Sequence, residues 1–267
     1  MTHTVVVSTA GDLSLSNNTH AQNTLILAVP TPTFVFTPGL LVAGQQPALA
    51  LTIDTPFPHD ITGTLRLTFS PDPTVRIDDP AIQFETGGRG LTFTIPANVS
   101  AANFTGAAQA GAVRFQAGTV AGALNFEGTL KAGRIDSTFS SAGLSAMTIP
   151  LQAPVIQSLR TSTQGGFAAL ITSFSTARTI TQLNLDFQTA VPVTLSCGTT
   201  QGCSTSGNSI TLNVASLFAG WFTGDTMFGS LSTLRLPLSV GGIVPGTVTV
   251  TLRNDRGPSN SMSFPLP

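Results

Sequence analysis

Three histidines, His3, His20 and His59, are the only imidazoles of the chain. Two of them fall in an N-terminal arm, so a Ser-His-Asp relay would have to rest on His59. Gly143-Leu144-Ser145-Ala146-Met147 begins as a nucleophile elbow begins, but it ends in Met where the strained turn needs Gly. The two glutamates, Glu85 and Glu127, are far apart, and no spacing among the aspartates singles out a pair for general acid and base work. The residues therefore predict a chain that is not an enzyme.

Two other kinds of site chemistry are readable. Ser70-Pro71-Asp72-Pro73 and Ile77-Asp78-Asp79-Pro80 together offer Asp72, Asp78 and Asp79 as oxygen donors to calcium, the one cofactor the sequence raises. The alternating acids of a dedicated calcium loop are missing, and Asp-Pro pairs also simply shape turns. Further on, Phe218-Ala219-Gly220-Trp221-Phe222 with Met227-Phe228 reads as an aromatic loop. Trp221, Phe222 and Phe228 then either stack on a sugar or partner surface or plug the end of a core. Cys197 and Cys203 flank a Gly/Thr/Gln loop, a spacing that closes as a small disulfide in an oxidising space or leaves two thiols.

Composition sets what must position these groups. The chain has 267 residues, of which 9% are charged, and a formal net charge of −1. A basic footprint for nucleic acid or for an anionic membrane surface is missing, so neither is favoured as a partner. No run of apolar residues is long enough to predict a transmembrane segment. Lys131 is the single lysine, and long surface helices normally use Lys and Glu. Abundant Gly, Pro, Ser, Thr and Val suit strands joined by tight turns, which predicts an all-β protein. The first residues lack a basic segment followed by an apolar one, so no signal peptide is expected in this chain. The low-charge, Ser/Thr-rich composition still points to an extracellular or cell-surface setting.

The chain also repeats itself. Met147-Thr148-Ile149-Pro150-Leu151 returns as Met262-Ser263-Phe264-Pro265-Leu266. Leu183-Asn184-Leu185-Asp186-Phe187 matches Leu65-Arg66-Leu67-Thr68-Phe69, and Ile210-Thr211-Leu212-Asn213-Val214 matches Leu91-Thr92-Phe93-Thr94-Ile95. Val244 to Val248 matches Val120 to Leu124. Four matches in one order indicate two copies of one unit. Strands are expected at Phe34–Phe36, Ala48–Ile53, Leu65–Phe69, Ile82–Phe84, Leu91–Ile95, Val113–Phe115, Ala123–Leu130 and Met147–Leu151, with inward and outward residues alternating. The predicted architecture is two tandem antiparallel β-sandwich domains, residues 31–152 and 153–267, preceded by an extended arm over residues 1–30. The junction Pro150-Leu151-Gln152-Ala153-Pro154 carries two prolines and predicts restricted bending.

Thr55 to Leu65, Phe84-Glu85-Thr86-Gly87-Gly88-Arg89 and Phe93-Thr94-Ile95-Pro96-Ala97 resemble the tandem immunoglobulin-like modules of bacterial secreted and cell-surface proteins. A strand, a Gly-rich turn and an apolar-Thr-apolar-Pro strand also look like Calx-β repeats. The resemblance implies a scaffold, adhesive or assembly role and brings no active-site residue. Calx-β calcium sites use clustered acids, which here reduce to Asp72, Asp78 and Asp79.

The arm holds two apolar runs, Val5-Val6-Val7 and Leu25-Ile26-Leu27-Ala28-Val29, around the polar stretch Ser14 to Asn23. Leu27-Ala28-Val29-Pro30 precedes Phe34 much as Met147-Thr148-Ile149-Pro150 precedes Val155, so it reads as a closing strand without its module. Such a strand, with Val5, Val6, Val7, Leu25, Ile26, Leu27 and Val29 as its apolar residues, invites addition to a sheet edge of another copy. The alternative is that it folds back over an edge of its own first module. The leading functional reading is an extracellular structural or assembly protein that polymerises head to tail. The other is an adhesive module that binds carbohydrate or protein.

Overall fold

The computed structural model describes residues 2–7, 9–23, 28, 30–141, 147–224, 227–239 and 245–266, the side chain of Leu15 excepted. Leu25, Ile26, Leu27 and Val29 of the expected assembly strand lie outside the described residues, as do Gly143 to Ala146 of the elbow-like segment and Val244 of one repeat match.

The first strands are β1 (Thr2–Val6), β2 (Thr19–Asn23), β3 (Pro32–Thr37), β4 (Ala48–Ile53), β5 (Ile61–Pro71), β6 (Gly90–Ile95) and β7 (Asn103–Phe104). They continue with β8 (Val113–Arg114), β9 (Gly122–Ala132), β10 (Ile135–Ser140), β11 (Thr148–Ile149), β12 (Val155–Ser162), β13 (Ala168–Phe174), β14 (Gln182–Thr189) and β15 (Cys203–Ser206). After β16 (Ser209–Asn213) comes a helix, α1 (Ala215–Gly224), followed by β17 (Leu231–Pro237), β18 (Gly246–Asn254), β19 (Gly257–Pro258) and β20 (Met262–Pro265). Every pairing among them is antiparallel. The chain is all-β, as its composition predicts.

The same strand order is built twice. In the first half a sheet β3-β4-β8 faces a sheet β10-β9-β5-β6-β7, with β11 also on β9. In the second half β12-β13-β17 faces β15-β16-β14-β18-β19, with β20 also on β18. The four sequence matches fall on equivalent strands or their approaches: β5 with β14, β6 with β16, β9 with β18, and β11 with β20. A three-stranded sheet over a larger one, with its central strand between the first and fifth principal strands, is an immunoglobulin-like arrangement. Period-two alternation produces it. Leu49, Leu51 and Ile53 of β4 and Leu65 and Leu67 of β5 point inward with Phe84, Phe115 and Phe126, while Thr64 and Arg66 face water. A second cluster gathers Ile171, Leu183, Leu185, Val248, Val250, Leu252 and Phe264.

Four local features differ from the sequence reading. Ile82–Phe84 is no strand, because turns and a side chain take its backbone groups: the Ile82 N–H donates to the Asp79 carbonyl, and Arg89 Nε donates to the Ile82 carbonyl at 3.0 Å. Only the Phe84–Phe115 bridge remains. An unexpected strand, β10, pairs with β9. Its Phe139 covers Gly128, where a Cβ would come within 2.4 Å of the ring. In the arm, the polar stretch supplies a strand where only the apolar runs are expected to. Val5 and Val6 sit in β1, which pairs with β2 from the polar stretch. Backbone hydrogen bonding does not require apolar residues, and Thr2 Oγ1 adds a bond of 2.8 Å to Asn23 Oδ1. The fourth difference is α1, where a loop is expected.

Candidate functional site

The two halves meet at a polar seam, and its centre is an aspartate. Asp79 is fully buried. Its two carboxylate oxygens accept the N–H groups of Ala81, Thr119 and Val120 and the Thr119 hydroxyl, all within 3.3 Å. Thr119 Oγ1 in turn accepts the Ser230 N–H at 2.9 Å, which ties the second half to this cluster. Gly229 lies against the same carboxylate: a Cβ there would stand 2.6 Å from Oδ1, and its φ of +60° also favours glycine.

A second set of bonds closes the seam on its other side. The Ala121 N–H donates to the Thr176 carbonyl at 3.0 Å, and Thr176 Oγ1 donates to the Pro150 carbonyl at 2.9 Å. Asn254 Nδ2 donates to the Gln152 carbonyl at 3.1 Å. The seam is apolar as well, since Phe174 of β13 belongs to the first hydrophobic cluster and Leu231 packs against it. Contacts well beyond the two prolines therefore join the halves at the junction.

These partners decide the fate of the calcium donors. Asp79 is saturated by protein donors. Asp78 is paired with Arg89 at 2.8 Å. Asp72 Oδ1 accepts the Thr74 hydroxyl and N–H at 2.6 and 2.8 Å, and those two bonds hold its carboxyl below the usual carboxylate range. The three do not converge, and among the described residues no group of three His, Cys, Asp or Glu side chains is placed to hold a metal. Cys197 and Cys203 are disulfide-bonded, with Cα atoms 5.7 Å apart, at the edge hairpin of β15 and β16. His3 and His20 lie on the exposed β1–β2 hairpin, remote in the sequence from His59, whose ring packs edge-on to Phe57 at 6.1 Å.

The aromatic segment divides into two roles. Asn213 Oδ1 accepts the Ala215 N–H at 3.1 Å and caps α1. Phe218 and Phe222, four residues apart, turn into the second core. Arg178 stands 5.1 Å over the Phe222 ring and donates to the carbonyls of Phe222 and Gly229, fixing the helix end to the seam. Phe222 is therefore a core residue, and its sequence reading as a binding residue is corrected. Leu217 and Trp221, also four apart, occupy the outer face, and Met227 and Phe228 follow. Their exposures are 54%, 40%, 75% and 57% respectively. Trp221 Nε1 donates to the Leu231 carbonyl at 3.3 Å, so the indole edge is anchored while the residue stays exposed. Met227, Phe228 and Leu231 line a cleft of about 460 Å³ at the seam with Gln116, Thr119 and Gln157.

Comparison with known proteins adds no family. No family model matches the chain. No curated protein matches it either. Among solved structures, the complex of the mouse coronavirus receptor-binding domain with its murine receptor aligns with a TM-score of 0.26 and 9% identity, covering 87% of this chain and 98% of that one. Murine CEACAM1b aligns with a TM-score of 0.24 and 12% identity over 88% and 98%. A structure of manganese lipoxygenase of Gaeumannomyces graminis with part of zonadhesin of Komagataella pastoris gives 0.21 and 12% over 88% and 92%. The immunoglobulin-like class rests on the strand order itself. Among the described residues, no helix is long and apolar enough to cross a membrane.

Proposed function

We propose that this chain is a non-enzymatic binding module of a secreted or cell-surface protein. Two sandwiches, residues 31–152 and 153–267, act as one rigid body that presents Leu217, Trp221, Met227 and Phe228 beside the seam. The observation that supports it is this set of exposed apolar residues, two on the outer face of a helix whose opposite face is core and two shortly after its end. Contiguous exposed apolar surface rimmed by polar groups marks interaction sites. The disulfide and the near-neutral composition fit an oxidising, extracellular setting. The test is a printed array of glycans and purified proteins probed with the labelled chain. Wild type is expected to bind discrete spots that the Trp221→Ala/Phe228→Ser double variant loses, while the variant keeps its thermal unfolding temperature. An empty array, or spots that the variant retains, overturns the reading.

Assembly through the arm is a second reading, favoured by one observation: all ten residues of β1 and β2 are exposed. A lone two-stranded hairpin is marginally stable in water, so this one gains by joining a sheet edge of another copy. Full-length chain should then show concentration-dependent oligomers that removal of residues 1–30 abolishes. Light scattering that finds monomer before and after removal excludes polymerisation by strand donation.

A further inference from the structure

We infer that the cleft beside Phe228 is one end of a longer groove that binds a neutral oligosaccharide. This deepens the binding reading above by naming the ligand class. The seam cleft of about 460 Å³ shares Ala81 and Gln116 with a neighbouring cleft of about 540 Å³, which runs past Gln46 and Gln83 across the first half. Together the two present four side-chain amides, those of Gln46, Gln83, Gln116 and Gln157, with Met227 and Phe228 at one end. Ligand sites of this size occur preferentially between units of a fold.

The chemistry of the lining selects the ligand. An amide both donates and accepts hydrogen bonds, as a sugar hydroxyl does. Gln46 Nε2 donates to Gln116 Oε1 at 3.1 Å, which leaves the Gln46 oxygen as an acceptor and the Gln116 nitrogen as a donor outside that bond. The ring of Phe228 supplies an apolar face for the C–H side of a sugar ring. The charged side chains, Glu85 and Arg114, lie in the second cleft, and Glu85 Oε1 already accepts the N–H groups of Ala108 and Arg114. The two charges are of opposite sign, so the cleft carries no net charge to favour an acidic or a basic ligand.

An extended peptide would bind here by adding a strand, and that route is closed. On one side of the segment 113–117, the Glu85 N–H donates to the Arg114 carbonyl at 2.9 Å and the Gln116 N–H donates to the Gln83 carbonyl at 2.8 Å. On the other, the N–H groups of Phe115 and Ala117 donate to the carbonyls of Pro47 and Gln45 at 3.1 and 2.9 Å. With the main chain occupied, recognition falls to side-chain amides and an aromatic face. The floor is fixed beforehand, because Ala81 and Thr119 are both bonded to Asp79. A preorganised site loses less entropy on binding.

Trp221 is the sole tryptophan and is bonded to Leu231 of the groove wall, so its fluorescence reports occupancy. The full chain is titrated with cellohexaose, chitohexaose and maltohexaose, and separately with an uncharged Ala/Gln hexapeptide. At least one hexasaccharide is expected to give a saturable change at millimolar concentration, weakened about tenfold by Gln116→Ala and by Phe228→Ala, each with unaltered thermal unfolding. The peptide should give none. No saturation with any sugar overturns the inference, as does saturation indifferent to Gln116, or a Gln116-dependent response to the peptide alone. Protein spots on the array that require Trp221 would survive each of those results, so the two readings fail separately.

Discussion

Asp79→Ala is expected to lower stability by about 3 kcal/mol or more, with a fall in melting temperature of roughly 6–12 °C. The reasoning starts from what the carboxylate satisfies. It is the acceptor for three backbone N–H groups and a hydroxyl in a fully buried place. Alanine leaves those donors without partners, and each buried unsatisfied donor costs about 1–3 kcal/mol. Asparagine is no rescue. Its NH₂ must face either the Ala81 N–H or those of Thr119 and Val120, donor against donor. Gly229→Ala attacks the same place from the second half, because the new Cβ would come within 2.6 Å of the carboxylate. Scanning calorimetry of the three variants checks the argument. An Asp79→Ala chain that melts within a degree of wild type refutes it.

How much of this was legible in the sequence depends on how local each cause is. The sandwich strands were, because inward leucines and outward threonines two apart report a half-buried strand without reference to anything distant. The repeat was legible for the same reason, since β5 and β14 carry the same alternation. α1 was not: Leu217, Phe218, Trp221 and Phe222 put apolar residues on both faces of the helix, so the run shows neither a clean helical stripe nor a strand alternation. Asp79 was misleading for a deeper reason. Beside Asp78 and Pro80 it reads as a solvated turn or a calcium donor, whereas its burial is set by Thr119, 40 residues away, and by Gly229 of the other half. The groove had no signature at all. Gln46, Gln83, Gln116 and Gln157 are single amides in unrelated contexts, and only the fold collects them. Trp221 draws notice as the single tryptophan, and Phe228 as part of the aromatic run around it. Phe222 was grouped with them because sequence proximity cannot tell the two faces of an unrecognised helix apart.

Phe126→Ala is expected to cost about 3–5 kcal/mol, the range for truncating a buried phenylalanine. Its ring is the hub of the first core, with centroids of Phe115, Phe36, Phe34 and Phe84 at 5.0, 5.4, 6.0 and 6.2 Å. The informative part is how the loss is shared. If the halves were beads on a string, weakening one would split calorimetric unfolding into a low transition for the first half and an unchanged one for the second. The seam opposes that outcome. Phe174 of the second half is part of the first core, and unfolding the first half would strand the Ser230 N–H and expose Phe174 and Leu231. Phe126→Ala should therefore lower one shared transition, and the double variant Phe126→Ala/Asp79→Ala should separate it into two. A second-half transition that stays at the wild-type temperature in the single variant would show that the seam transmits nothing. The groove would then lie across a movable joint, because Gln157, Met227 and Phe228 on one of its walls belong to the second half while Gln116 and Ala81 on the other belong to the first.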